Sequence, residues 1–203
     1  MQSYIKYKLH KWARKGSWLS DLLDRMFLRN KKIAIVSDNC WGIRLYKNLN
    51  RPYNTPFIGL TIPPDDFLKI ISNLEEYLNI ELKISDFSNA DKFPVAFLSG
   101  IRINFIHYKN EEDAIEKWNR RRLRLMSFLN ENGIDSIIFK SCHVDSKDDV
   151  FVKKFKELDL KRKIFLEKDS IIIKRNGDFP DGLELYEIRL LYYFNFIKLF
   201  KYL

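Results

Sequence analysis

The sequence predicts an α/β fold of three layers: a largely parallel, mixed sheet with helices on both faces, a basic amino-terminal arm and a carboxyl-terminal aromatic helix. Three observations lead there. Short β-like apolar runs alternate with amphipathic helical stretches along the 203 residues, the pattern of parallel strands joined by helical crossovers. The composition, 46% hydrophobic and 31% charged, suits one substantial core rather than a disordered chain. Positive charge is gathered at the start, because residues 1–32 carry nine Lys or Arg against two Asp, +7 of the chain's +9.

The arm, residues 1–30, interleaves Trp and Leu with cations in "KLHKWARKGSWLSDLLDRMFLRN". A helix of this make-up can lie in a membrane interface, its indoles at the headgroup boundary and its cations against anionic lipid. It also suits a helix packed on the domain or on a second subunit, with its cations in water. The remaining residues are close to neutral, so nucleic acid is not expected as a partner.

Residues 31–203 read as a single α/β domain. "KIAIVS" is a compact strand-like run, followed by Gly42 and a helix through Ile43, Leu45, Tyr46 and Leu49. "TPFIGLTI" (55–62) predicts a second strand. Pro63 and Pro64 end it, and Asp65 and Asp66 supply the acidic first turn of a helix that places Phe67, Ile70, Ile71, Leu74, Tyr77 and Leu78 on one face. "IELKIS" and "FPVAFLSGIRINFIHY" are β-like, with Ser99-Gly100 at a tight turn or bulge that implies an antiparallel element. The strongest helix starts at Asn110, a cap residue, and Gly133 closes it. "IDSIIFKS", a helix over 147–158, β-like runs at 163–166 and 170–174, and the aromatic tail complete the series. That tail, "LLYYFNFIKLFKYL", is short for a bilayer span and is interrupted by Lys198 and Lys201. Two cysteines and the lack of an export signal predict a cytoplasmic setting, and the arm would allow a peripheral position at the inner face of the membrane.

In sheets of this kind ligands collect beyond the carboxyl ends of the strands. The rule selects residues 37–42, "HYKN" (107–110) and "SCHVDSKDD" (141–149). Asp38 and Asn39 fit helix capping or the orientation of a hydroxylated ligand. Cys40, on a strand-to-helix turn, is a candidate nucleophile with His107 or His143 as its base, although small cysteines also fill strand ends. Trp41 and Trp118 offer ring faces to a sugar or base, or belong to the core. On the long helix, Ala114, Ile115, Trp118, Leu125, Met126 and Leu129 share an arc of about 120°. Arg122 falls inside that arc and Arg121 near its edge. An inward arginine must reach out along its stem or meet an anion. Asp38 is one such partner, and a bound phosphate or carboxylate is another. The Cys and His positions match no zinc spacing, so no metal is expected. Dinucleotide and Walker-type glycine loops are absent, and the cofactor is left unidentified.

The blocks "DNCWG", "TPFIGLTI", "DDFLKIISNLEEYL" and "FIHYKNEEDAIEKWNRRRLR", in that order and spacing over residues 31–142, resemble a bacterial family labelled exopolysaccharide or capsular polysaccharide biosynthesis proteins. The resemblance implies a cytoplasmic protein that works in surface-glycan assembly, with room for a membrane-apposed position, and members of the family are described as transferase-like. Positions matching the motif are Asn39, Cys40, Trp41, Gly42 and Tyr46, then His107, Tyr108, Glu112, Ala114, Trp118 and Arg121. "SCHVDSKDD" departs from the acidic, arginine-containing loop of many relatives at Cys142 and His143. The expected function is therefore transfer of a sugar or carrier-linked sugar. Asp38, Cys40 and His107 are the catalytic candidates, and Asn39, Trp41, Tyr108, Trp118, Arg121, Arg122 and His143 the binding candidates. The alternative is a non-catalytic accessory protein that docks to membrane-bound polysaccharide machinery. Expected partners are a nucleotide sugar or carrier-linked sugar, a membrane surface met by residues 1–30, and a second copy of the chain.

Overall fold

A computed structural model describes residues 2–88, 92–143, 149–167 and 181–201. The chain opens with helices α1 (Gln2–Lys15) and α2 (Ser17–Leu28), followed by strand β1 (Ala34–Ser37) and helix α3 (Gly42–Asn48). Helices α4 (Pro64–Ser72) and α5 (Leu74–Asn79) come next, broken at Asn73. Strands β2 (Phe87–Ser88), β3 (Val95–Leu98) and β4 (Ile101–Asn104) precede the long helix α6 (Glu111–Asn132). Strand β5 (Ile137–Cys142), helix α7 (Asp149–Glu157), strand β6 (Lys163–Leu166), and helices α8 (Gly182–Glu187) and α9 (Tyr193–Lys198) end the order. The β-like run at 170–174 lies outside the described residues.

The single mixed sheet expected from the sequence is two sheets. One is parallel, in the order β1-β5-β6, and the other is antiparallel, in the order β2-β3-β4. The β3–β4 hairpin turns through Ser99 and Gly100, both at positive φ (50° and 79°), as a two-residue primed turn requires. Residues 55–62 are not a strand. Their hydrogen bonds are divided between the two sheets: Thr61 exchanges backbone bonds with Asn104, the last residue of β4, and Ile62 N donates to Asp38 O just past β1. Gly59, at φ +75°, bends the segment so that neither sheet can extend along it.

Alternation along β1 sends Ala34 and Val36 into one apolar cluster and Ile33 and Ile35 into another. The first cluster takes in Phe67, Ile70 and Ile71 of α4 and Ala114, Trp118, Leu125 and Leu129 of α6. The second is filled by Leu45 and Tyr46 of α3 and by the aromatic residues near the carboxyl terminus. Each fully buried Leu, Ile or Phe contributes about 1.5–3 kcal/mol. Both ends of α6 form as expected: Asn110 Oδ1 accepts from Asp113 N at 2.9 Å, and Gly133 turns out at φ +74°.

The first thirty residues, expected as an arm, place Ala13, Ser20, Asp24 and Leu28 in the interior. Asp24 Oδ2 accepts from Arg189 Nε and from Tyr186 OH, both at 2.9 Å. Where the sequence predicts one terminal helix over 190–203, the described residues form a 3-10 turn at Arg189–Tyr192 and then α9, with α8 before them, and Arg189 reaches back to α2. Among the described residues no helix is long and apolar enough to cross a membrane.

Candidate functional site

A cleft of about 420 Å³ opens between α3, α6 and the bent segment before α4, within the size range of small-molecule sites. Helix α6 supplies Lys117 and Arg121, four residues apart and hence on one face. Arg44 and Lys47 of α3 line the opposite wall, Ile58 and Gly59 line the bent segment, and Tyr53, His107 and Tyr108 complete the polar lining. The backbone beneath is tightly fixed. His107 N donates to Gly59 O at 3.0 Å, and Tyr108 OH donates to Ile58 O at 2.6 Å. A Cβ on Gly59 would stand 3.3 Å from both His107 Cβ and the Tyr108 ring, so glycine is needed there for space as well as for its positive φ.

Among the described lining residues there are four cations and an imidazole but no carboxylate. Two of the cations are paired from outside the cleft: Arg44 with Glu187 at 2.6 Å and Lys117 with Asp113 at 2.6 Å. The Lys117 hydrogen bond holds the Asp113 carboxyl below its ordinary range. Arg121 is held differently. It is buried, donates to Tyr108 OH at 2.8 Å and lies 4.9 Å over the Tyr53 ring. Rings and a phenol orient this guanidinium without neutralising it. With exposed Lys47, it gives the cleft a net positive character, and His107 is exposed beside it.

Burial pushes the Tyr108 phenol from its ordinary value near 10 up to about 12, against the opposing charge of Arg121. The folded state therefore holds this proton more tightly than the unfolded chain does. The stability it contributes is complete below pH 10 and is lost as pH rises toward 12. Between about pH 9 and about pH 11 the protein is expected to lose about 1 kcal/mol more than its Tyr108→Phe variant. Urea midpoints at the two pH values measure the difference, and parallel curves would refute it.

The hinge at 38–41 does not line this cleft and is closed to solvent. Register pairs Ser37 with Lys140 across β1 and β5, and the next residues meet as Ser141 Oγ donates to Asp38 Oδ2 at 2.5 Å. Lys140 Nζ, fully buried, donates to Asn39 Oδ1 at 2.9 Å, stands 3.2 Å from Cys142 Sγ and lies 3.9 Å from Asp38 Oδ1. Asn39 Nδ2 in turn approaches Cys142 Sγ at 3.1 Å. Helix α8 closes over the hinge so tightly that a Cβ on Gly182 would stand 2.7 Å from Asn39 Oδ1. Asp38, Asn39 and Cys40, read from the sequence as site candidates, are thus interior groups, and Asp38 and Asn39 join β1 to β5. Cys40 Sγ faces the Leu60 carbonyl at 3.8 Å.

Three further expectations are corrected by packing. Trp41 donates Nε1–H to Tyr192 OH at 2.9 Å and meets Tyr186 and Phe196 edge-on, while Trp118 packs edge-on against Phe57 and Phe105. Both indoles are core groups with no face left for a ligand. Arg122 does point inward, but toward α5, where it donates to Leu78 O at 3.0 Å and to Asn119 Oδ1 at 3.2 Å and approaches Glu81 at 3.8 Å. The orphan carbonyls at a helix end are a natural partner for it. His143 belongs to a separate surface depression with Asp149 and Glu167. The structure brings His107, Tyr108 and Arg121 together and leaves Arg122 and His143 elsewhere. Sequence reasoning missed Lys47, Arg44, Tyr53 and Lys117 in the cleft, and it missed Lys140. Lys140 did carry a signal, a lone cation inside the apolar run "IDSIIFKS", which demands buried partners.

A family model described as "Domain of unknown function (DUF1919)" matches residues 18–176. The chain is also similar to a Haemophilus influenzae (strain ATCC 51907 / DSM 11121 / KW20 / Rd) protein described as "Uncharacterized protein". The two are 29% identical over 185 residues, which is 91% of this chain and 84% of the relative.

Proposed function

This chain belongs to the DUF1919 family, and for it we propose transfer of a phosphate-activated sugar or carrier-linked sugar in bacterial surface-polysaccharide biosynthesis. The observation that carries the proposal is the lining of the cleft, cationic on both walls without a lining carboxylate among the described residues. A phosphate or diphosphate meets Arg121 and Lys47 there, and their charge offsets the negative charge that develops on a departing phosphate. His107, exposed at the same cleft, is the group that takes a proton from the acceptor hydroxyl or donates a hydrogen bond to it. Tyr108 orients Arg121 rather than acting as a base, because its phenol keeps its proton up to about 12.

A thermal-shift screen with UDP-glucose, other nucleotide sugars and short polyprenyl phosphates tests the reading. At least one is expected to raise the melting temperature, and His107→Ala is expected to lose turnover while melting as the parent does. Indifference to every phosphorylated sugar and carrier would end the proposal. The alternative role, an accessory protein at membrane-bound machinery, draws its support from a different part of the molecule, the outer face of α2.

A further inference from the structure

The two aspartates of the amino-terminal segment are both paired with one arginine, Asp24 from the interior and Asp21 from a half-buried position. Arg189, itself fully buried, forms ion pairs with Asp21 and with Asp24 through the same Nη2. Its Nη1 donates to Tyr186 O at 2.8 Å, and its guanidinium lies 3.7 Å over the Tyr186 ring. Along α2 the buried residues Ser20, Asp24 and Leu28 recur every four positions, so they form one stripe against the domain.

The opposite stripe follows the same spacing. Trp18, Leu22 and Met26 are 64%, 42% and 67% exposed. On a helical wheel Arg25 and Arg29 fall within the same arc, and both are exposed. Arg25 stays exposed while reaching Asn48 Oδ1 at 3.2 Å. The outer face of α2 thus presents an indole, two flexible apolar side chains and two cations, while the acidic residues of the helix are neutralised behind it. Lys11, Lys15 and Lys32, in and beside these helices, are exposed as well.

From this arrangement we infer that the outer face of α2 docks the protein on an anionic lipid surface. Trp18, Leu22 and Met26 enter the headgroup boundary, and Arg25 and Arg29 meet the lipid phosphates. Charge complementarity selects this occupant. An apolar stripe alone would equally suit a second copy of the chain, but a second copy would set Arg25 and Arg29 against the same two cations, whereas anionic headgroups attract them. The inference stands independently of the cleft and its ligand.

Co-sedimentation of the full chain with vesicles tests it, using phosphatidylglycerol mixed with phosphatidylcholine and phosphatidylcholine alone. Binding is expected to the mixed vesicles, to weaken with added salt, and to be much weaker on phosphatidylcholine. Arg25→Gln with Arg29→Gln is expected to lower partitioning roughly thirtyfold, and Trp18→Ser with Met26→Ser on the order of tenfold. Circular dichroism and an unchanged melting temperature establish that the variants are folded. Failure of the mixed vesicles to bind, or equal binding by parent and both double variants, overturns the proposal. So does a concentration-dependent dimer in analytical ultracentrifugation that the serine pair abolishes without any vesicle binding by the parent, which would assign the face to a second copy.

Discussion

Replacing Asp24 by alanine is expected to cost about 3–5 kcal/mol of folding stability, the range for breaking a buried ion pair by removing one partner. The carboxylate is fully buried and collects Arg189, Tyr186 and Tyr193, the last at 3.1 Å. Without it, the Arg189 guanidinium keeps Asp21 and the Tyr186 carbonyl but loses the carboxylate that compensated its burial, and two tyrosine hydroxyls lose an acceptor. A double replacement, Asp24→Leu with Arg189→Met, removes both charges and is expected to recover part of the loss. Urea unfolding of the parent, the single variant and the double variant decides it. A single-variant loss below about 1 kcal/mol would mean that the pair behaves like a solvated one.

Arg121 and Arg122, adjacent in sequence, are expected to give opposite results. Arg121→Gln is expected to weaken binding of UDP-glucose or inorganic pyrophosphate about thirtyfold, about 2 kcal/mol for a lost charge-assisted hydrogen bond. Arg122→Gln is expected to leave that affinity within about twofold and instead to lower stability by about 1–3 kcal/mol, because the Leu78 carbonyl and the contact with Glu81 lose their cation. Calorimetric titration and urea unfolding of both variants supply the four numbers required. If Arg122→Gln weakened binding as much as Arg121→Gln, the assignment of the cleft to the Arg121 face would be wrong.

The contrast also shows what a helical wheel can resolve. The inward turn of Arg122 was legible from the apolar arc of α6. The identity of its partner was not, because the carbonyl it meets belongs to a helix 44 residues away. Arg121, near the edge of the same arc, is buried only because Tyr53 and Tyr108 close around it. The bent segment at 55–62 shows the reverse case. Its apolar run reads as a strand, but a glycine at positive φ and competition between two sheets for its backbone bonds override that local preference.

The sequence by itself determined the alternation of strands and helices, the caps of α6, the hairpin turn at Ser99-Gly100 and the concentration of charge in the first thirty residues. These features depend on side-chain period, backbone permissiveness and local hydrogen bonding, all of which act between near neighbours in the chain. Only the tertiary structure decided which polar groups face solvent. Asp38, Asn39 and Lys140 are buried and His107 is open because strand pairing and the closure of α8 bring distant segments into contact; the apolar run around Lys140 signals that its cation needs buried partners, but no local sequence names them.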